Sequence, residues 1–308
     1  MSGAYAHIAA VQTLTSGNNL DEITMPKLLK KALSTNPSFC IMGAVSPDYP
    51  YLDLTNPSSS KWADEMHNGG MQNIIKSGIK LIKCLENNEE LEKCLAWFFG
   101  FLAHVGVDMT IHPIVEGIAG IYSLSKENQR KHRICEMNQD VHIWQKLNLG
   151  TIGRCEIIDN IRYCDDDKKN LYEPVRLFWD SILSSAYPEL YSTNKPDINK
   201  WHKSFSYIVD IVEESHEWPR FARHVSVDAG LSYPLPSEVD DQYIQKLKTP
   251  DGKMLSYDEI FKKALSNVNG IWVNIAEAIE NEKSSYISSL LSWNLDRGLT
   301  SSGGYLFW

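Results

Sequence analysis

The stretch from Phe98 to Pro113, FFGFLAHVGVDMTIHP, constrains this chain more than any other. It sets His104, Asp108 and His112 four residues apart, and on an α-helix positions i, i+4 and i+8 share one face. Most neighbours are apolar, so that face belongs to a core. A single histidine there would read as a core residue bonded to a backbone carbonyl. A carboxylate is a stronger constraint, because burying an unpaired charge costs several kcal/mol and calls for a cation or a hydrogen-bonded partner. Asp108 has two oxygens and can bridge two cations, with His104 and His112 a turn to either side completing different shells. The spacing is that of a multinuclear metal site.

A chain of 308 residues is long enough to bury a core around such a site. Apolar residues make up 43% and charged residues 22%, which excludes a disordered or fibrous protein. With 30 basic against 39 acidic residues the net charge is -9, so no bulk basic surface is expected for nucleic acid or an anionic membrane. The N-terminal MSGAYAHIAAVQ has no basic segment followed by a long apolar one; no secretory signal is expected, and the expected location is cytoplasmic. The six cysteines show no C-x-x-C spacing, and most are expected as buried thiols. The most apolar run, residues 94–107, is short for a bilayer and leads into Asp108, so no transmembrane segment is expected.

Helical patterning runs through most of the chain. The expected helices are residues 4–14 carrying His7, 24–34 with Thr24 as N-cap, one from 58–60 carrying Trp62 and His67 up to Gly69 and Gly70, 71–85, one starting at Leu91 and loosened by Pro113, Gly117 and Gly120, and 127–146. Residues 87–90 read as a polar turn. Pro47 and Pro50 break the segment 39–52 and leave Asp48 in a rigid loop directly after an apolar segment, flanked by Tyr49 and Tyr51. The helix at 127–146 repeats the four-residue step with His132, Glu136 and Asp140; Asp140 is read either as an exposed helix carboxylate or as a partner orienting His132 or His112. Beyond Gly150 a hairpin or loop at 156–164, helices at 170–186 and 197–214, a long surface loop at 225–255, and a helix at 256–282 opened by a Ser256/Glu259 capping box are expected. His142, His202, His216 and His224 read as structural or surface residues, and the tail 301–308 is silent. The expected organisation is one mainly helical domain, with a metal-binding core in residues 1–146 completed by helices from 147–308.

The metal-ligand candidates are therefore His7, Asp48, His67, His104, Asp108, His112, His132 and Glu136. Imidazole nitrogen and carboxylate oxygen suit zinc, and catalytic zinc ions usually keep about three protein ligands and an open position. Eight ligands with Asp108 shared would serve three metals.

The set GAVSPDYPYL, His67, FLAHVGVDMTIHP and His132-x-x-x-Glu136 resembles the zinc-dependent phospholipase C family over roughly residues 3–140, and its central motif is similar to the N-terminal domain of glycosylphosphatidylinositol-specific phospholipase D. The resemblance implies an all-α, multi-helix fold of the type shared with S1/P1-type nucleases, and a cluster of two or three zinc ions that hydrolyses phosphodiesters. It assigns Asp48, His67, His104 and Asp108 to one metal, Asp108 and His7 to a second, and His112, His132 and Glu136 to a third. In the secreted bacterial members the mature N-terminal residue is a further ligand, so the metal beside His7 is expected to be weak or absent here. Those members also have a longer gap between the positions of Asp108 and His112; the four-residue step here follows the phospholipase D-like pattern.

The reaction implied is attack of a metal-activated water on phosphorus, with Asp48 as general base and Tyr49, Tyr51 and Trp62 as substrate contacts. The expected partner is a phospholipid or another phosphodiester. A nuclease or soluble-phosphoester phosphodiesterase of the same fold is the alternative, and a metal-bound structural or regulatory protein without turnover is the second.

Overall fold

The computed structural model describes residues 3–86, 88–152, 161, 164, 170–215, 232–281 and 284–308, with backbone alone over 208–215. The helices in chain order are α1 Ala4–Thr15, α2 Gly17–Glu22, α3 Lys27–Thr35, α4 Pro37–Val45, α5 Ser60–Asn68, α6 Met71–Ile82, α7 Glu89–Ala119, α8 Lys126–Lys146, α9 Glu173–Ala186, α10 Pro188–Thr193, α11 Ile198–Ser215, α12 Tyr257–Glu280 and α13 Ser285–Ser289. Two small antiparallel hairpins, β1 Leu247–Lys248 with β2 Met254–Leu255 and β3 Trp293–Asn294 with β4 Leu299–Thr300, are the extended elements among the described residues. The fold is all-α.

The organising element is the 31-residue α7. It starts where the Asn88 side chain accepts the Leu91 N–H at 3.1 Å, and Glu89, Glu90 and Glu92 fill the first turn, where carboxylates meet the positive end of the helix dipole. From Cys94 to Val115 every residue is buried. A helix apolar on all sides is stable only when enclosed, and burial of each large apolar side chain contributes about 1.5–3 kcal/mol. The helix is long and apolar enough to cross a membrane by length and composition, yet that apolar window is wholly buried inside the fold.

The two helices packed most extensively on α7 are α4 and α12. At the α4 crossing the backbones touch through glycine. A Cβ on Gly43 would lie 1.9 Å from the Trp97 carbonyl oxygen, and one on Gly100 would lie 1.9 Å from that of Cys40. Against α12, Gly106 leaves room for Val268 and Ile271. A single apolar cluster extends from Tyr5 to Leu295, and two of its buried indoles bond to backbone and side chain: Trp97 Nε1 to Ser46 Oγ and Trp272 Nε1 to the Phe99 carbonyl, both at 2.9 Å.

Several boundaries differ from the expectations. Asp48 lies in a 3-10 helix, Ser46–Leu52, directly continuing α4, because proline at an early position and tight 3-10 bonding coexist where an α-helix would break. Thr24 is outside α3, whose N-cap is Pro26. Glu89 and Glu90 belong to α7, and Pro113 sits within it: the helix runs six residues further, to Ala119. The helix α10 and the two hairpins had no periodic signal of their own. Residues 156–160, 162–163, part of the 225–255 segment, His216 and His224 lie outside the described residues. The capping box at Ser256 is present: Ser256 N–H donates to Glu259 Oε2 at 2.8 Å, and Glu259 N–H to Ser256 Oγ at 3.4 Å.

Candidate metal centre

Five elements bring the eight candidate ligands together: α1 carries His7, the 3-10 turn Asp48, the last turn of α5 His67, α7 its ladder of His104, Asp108 and His112, and α8 His132 and Glu136. All eight are buried. Asp108 is at the middle. Its Oδ1 lies 3.2 Å from His7 Nε2 and 3.5 Å from His112 Nε2, while Oδ2 lies 2.9 Å from His104 Nε2 and 3.7 Å from His67 Nε2. On one side Asp48 Oδ1 is 3.3 Å from His67 Nε2; on the other Glu136 Oε1 is 2.7 and 3.3 Å from His132 and His112 Nε2. The donors fall into three groups: His7, His104 and Asp108; Asp48, His67 and His104; His112, His132 and Glu136. His104 thus reaches two groups, and its ring stacks on that of His7 with centroids 4.0 Å apart.

Backbone carbonyls set the ring orientations. The Nδ1–H of His67 donates to the Ala63 carbonyl at 2.8 Å, that of His104 to Ala44 at 2.8 Å, and that of His112 to Leu295 at 2.6 Å. Each bond leaves Nε2 turned into the cluster as a lone-pair donor, the arrangement in which imidazole binds metal. The glycine crossing of α4 with α7 is what lets Ala44 come this close to His104.

The donor set fits zinc. Nitrogen and carboxylate oxygen converge at three points, and the ring nitrogens of His7 and His132, Asp48 Oδ1 and both Glu136 oxygens are buried without a hydrogen bond. Such convergence without aligned donors is resolved by a cation. The proton affinities carry the same message. Burial alone would raise the carboxyls of Asp48 and Glu136, but His104 and His67 around the first and His132 and His112 around the second hold both at about 2. Burial would depress His67 and His112, yet Asp48 beside the one and Asp108 beside the other lift both to about 9. For His7 and His132 burial wins and their affinity falls. Without metal, protons on His67 and His112 supply the positive charge that the carboxylates require.

A cleft of about 300 Å³ opens beside the cluster, lined by residues that include Tyr51, Asp64, Glu116, Tyr122, Asp296 and Arg297. The Tyr51 ring lies 5.7 Å from that of His67 and the Tyr122 ring 5.1 Å from that of His132, so the two phenols flank the donors from opposite ends of the cluster. Tyr51 hydroxyl donates to Asp64 at 2.9 Å. The substrate-contact expectation for Tyr49 and Trp62 does not fit their positions: both are fully buried, Tyr49 against Trp179, His202 and Phe205, and Trp62 with its indole donating to the Asn194 carbonyl at 3.0 Å. Tyr51, two residues along the 3-10 turn, faces the cleft instead.

Asp140 is buried, and it orients neither His132 nor His112. Its Oδ1 accepts the Ala6 N–H at 2.8 Å, and its Oδ2 accepts the Tyr5 N–H at 3.4 Å and the Tyr233 hydroxyl at 3.1 Å. It caps the open N-terminus of α1, the helix that carries His7. A Cβ on Gly3 would lie 1.9 Å from Asp140 Oδ2, so this approach needs glycine there. His142 forms a surface pair with Asp258 at 2.8 Å, and His202 packs beneath Tyr49. Sequence reasoning missed Tyr122, Asp64, Asp296 and the carbonyls of Ala44, Ala63 and Leu295. It also missed Glu116, although a signal existed: 116 is the next step of the ladder 104, 108, 112.

A family model described as zinc dependent phospholipase C matches residues 6–189. No curated protein matches, and no solved structure does. The match runs from α1 through α9 and takes in every candidate ligand and more than half of the chain; the chain belongs to the zinc-dependent phospholipase C family.

Proposed function

We propose that this protein is a zinc-dependent phosphodiester hydrolase that cleaves phospholipids in the manner of a phospholipase C, at a cluster of two or three zinc ions. The observation that carries the reading is Asp108, a fully buried carboxylate whose two oxygens face different donors. His112, His132 and Glu136 would hold one ion, Asp48, His67, His104 and Asp108 another, and His7 with Asp108 a third, since His104 has one ring nitrogen free and serves a single ion. When bound, zinc supplies Lewis acidity toward phosphoryl oxygens and lowers the pKa of water at neutral pH. Asp48, kept ionised at the rim of the cluster, accepts a proton from the attacking water as general base. Tyr51 and Tyr122 enclose the scissile phosphate from two sides of the cleft, and the buried surroundings of the cluster strengthen each of these interactions.

The cleft lining favours a lipid over nucleic acid. Asp64, Glu116 and Asp296 stand in it against the single guanidinium of Arg297, and Arg297 is bound in a two-pronged pair to Glu116 at 3.0 and 3.1 Å. A polyanion would meet repulsion along such a mouth. The test is mass-spectrometric product analysis after incubating the zinc-loaded protein with mixed phospholipids and with single-stranded DNA, each with a chelated control. Diacylglycerol and phosphorylated head groups, absent with chelator, are the expected products. Nucleotides alone would transfer the assignment to the nuclease reading, and no product from either substrate would favour a non-catalytic metal protein.

A further inference from the structure

The family match ends at residue 189, yet one metal-cluster histidine is oriented by a residue more than a hundred positions further on. The hairpin of β3 and β4 lies across the ends of two donor-bearing helices. In the turn between its strands, Leu295 makes two bonds at once: its carbonyl accepts the His112 Nδ1–H at 2.6 Å, and its N–H donates to the His67 carbonyl at 2.7 Å. His112 and His67 belong to different donor groups, so one residue spans the cluster.

The hairpin is fastened on both sides of Leu295. On one side Ser292 Oγ accepts the Gly70 N–H at 3.1 Å, and Asn294 Nδ2 donates to Asn68 Oδ1 at 3.2 Å, tying the segment to the end of α5. On the other side Arg297 grips Glu116, one helical step beyond His112 on α7. A two-pronged guanidinium–carboxylate pair fixes direction as well as distance. Gly298 then packs against Pro113: with φ +64, a Cβ there would lie 2.4 Å from Pro113 Cγ and 2.8 Å from the Met109 carbonyl oxygen. That carbonyl faces a proline, which has no N–H to offer a carbonyl one turn back. Trp308 seats one residue further along α7, its Nε1 donating to the Thr110 carbonyl at 3.0 Å.

We infer that residues 292–298 form a C-terminal strap that completes the zinc centre, with Arg297 and Gly298 as positioning residues that hold the Leu295 carbonyl against His112. The strap supplies no ligand. It fixes which nitrogen of His112 carries the proton and where its Nε2 points, and supports of this kind are worth about 10–100-fold in metal affinity. The inference rests on the zinc reading of the cluster and is independent of the reaction catalysed.

The test uses the full chain and zinc alone. Zinc is titrated against a competing chelator into the native protein, Arg297→Ala, Arg297→Lys and Gly298→Ala, and the His112 Nδ1–H signal is followed by nitrogen-15 NMR in the loaded proteins. The expected result is that one zinc equivalent weakens about 10–100-fold in Arg297→Ala and Gly298→Ala. The His112 signal should shift or broaden in both, the other equivalents should hold, and Arg297→Lys should fall between native and Arg297→Ala. Unchanged affinity for every equivalent with an unchanged His112 signal overturns the inference. Equal weakening of all equivalents, together with a lower melting temperature of the metal-free protein, also overturns it, because that is loss of general stability. Where Arg297→Ala fails to fold, Gly298→Ala and Arg297→Lys are judged by the same two criteria. A native protein that binds no zinc would instead remove the zinc reading itself.

Discussion

The helices that carry the ligands and the strap that supports them serve one centre but differ in how they are built. On α7 and α8 the donors follow the helix repeat: 104, 108 and 112, then 132 and 136, all turned to one side by local geometry alone. In the strap nothing is periodic. Its contribution to His112 is a main-chain carbonyl, and its position depends on Glu116, Pro113 and Asn68, residues between 180 and 230 positions away in the chain. The difference is between chemistry written in side chains at short range and support written in backbone at long range. Both ladders nevertheless run one step beyond their ligands to a carboxylate. Glu116 holds the strap, and Asp140 holds the N-terminus of α1.

That comparison can be broken first at the scaffold. In Gly100→Leu the new side chain would begin 1.9 Å from the Cys40 carbonyl oxygen, with helix backbone on both sides and nothing flexible to yield. Overpacking of this kind costs about 3 kcal/mol, and the move apart of α4 and α7 takes the Ala44 carbonyl away from His104. The expected outcome in denaturant melts is a metal-free protein with little folded population, rescued only in part by zinc. A native-like midpoint would show that the crossing is looser than its geometry.

The ion pairs of the cluster give the next effect. His67 and His112 have affinities raised from 6.5 to about 9 in the folded protein, so their contribution to the stability of the metal-free form is complete below pH 6.5 and is lost as pH rises through 9. Asp48 and Glu136 are lowered from 3.8 and 4.5 to about 2, so their contribution is complete above about pH 4.5 and is lost as pH falls toward 2. His7 and His132, whose affinities burial lowers from 6.5, take away stability as pH falls below 6.5. Thermal melts of chelated protein should therefore show greatest stability near pH 6.5, and zinc binding at neutral pH should release protons from His67 and His112. Stability of the chelated protein that keeps rising up to pH 9, or zinc binding at pH 7 with no proton release, would contradict the charge balance described for the cluster.

Two smaller effects sharpen the contrast between ligand and support. Asp140→Ala removes the cap of α1 and should cost about 1–2 kcal/mol in chemical denaturation, while lowering the affinity of the zinc position that uses His7 more than that of the position formed by His112, His132 and Glu136. Equal loss at both positions would make Asp140 a general stabiliser of the fold. Tyr51→Phe keeps the ring beside His67 and removes the hydroxyl bond to Asp64. A change of about 1 kcal/mol or less, about fivefold, is expected in KM with zinc content unchanged; a large fall in kcat would give the phenol a direct part in the reaction.

Much of the donor cluster was legible in the sequence because five of its eight candidate ligands lie on two long helices, where a four-residue step is sufficient to place them on one face. His7, Asp48 and His67 are single residues on separate elements, and they became readable through the resemblance of the surrounding motif. The errors have physical causes. Tyr49 and Trp62 sit near ligands in sequence, but aromatic residues beside a ligand are as useful in the core as in a cleft, and proximity along the chain does not distinguish the two. Asp140 was read as exposed or as a partner of His132 or His112, and both readings missed its bonds to Tyr5, Ala6 and Tyr233, because a cap given to a different helix has no local pattern. The strap was silent for the same reason: a carbonyl belongs to every residue, and its use is decided only when the chain is folded.

The most direct measurement is the zinc content of native protein and Asp108→Asn, determined by elemental mass spectrometry after exhaustive dialysis, with phosphodiesterase activity followed in the same samples. The replacement keeps the size of the side chain and removes the charge that lies between His7, His104, His67 and His112. Native protein should retain two or three zinc ions, and Asp108→Asn should lose at least one of them with an activity loss of about a hundredfold or more. Full zinc content and full activity in Asp108→Asn would contradict a centre built around a bridging carboxylate.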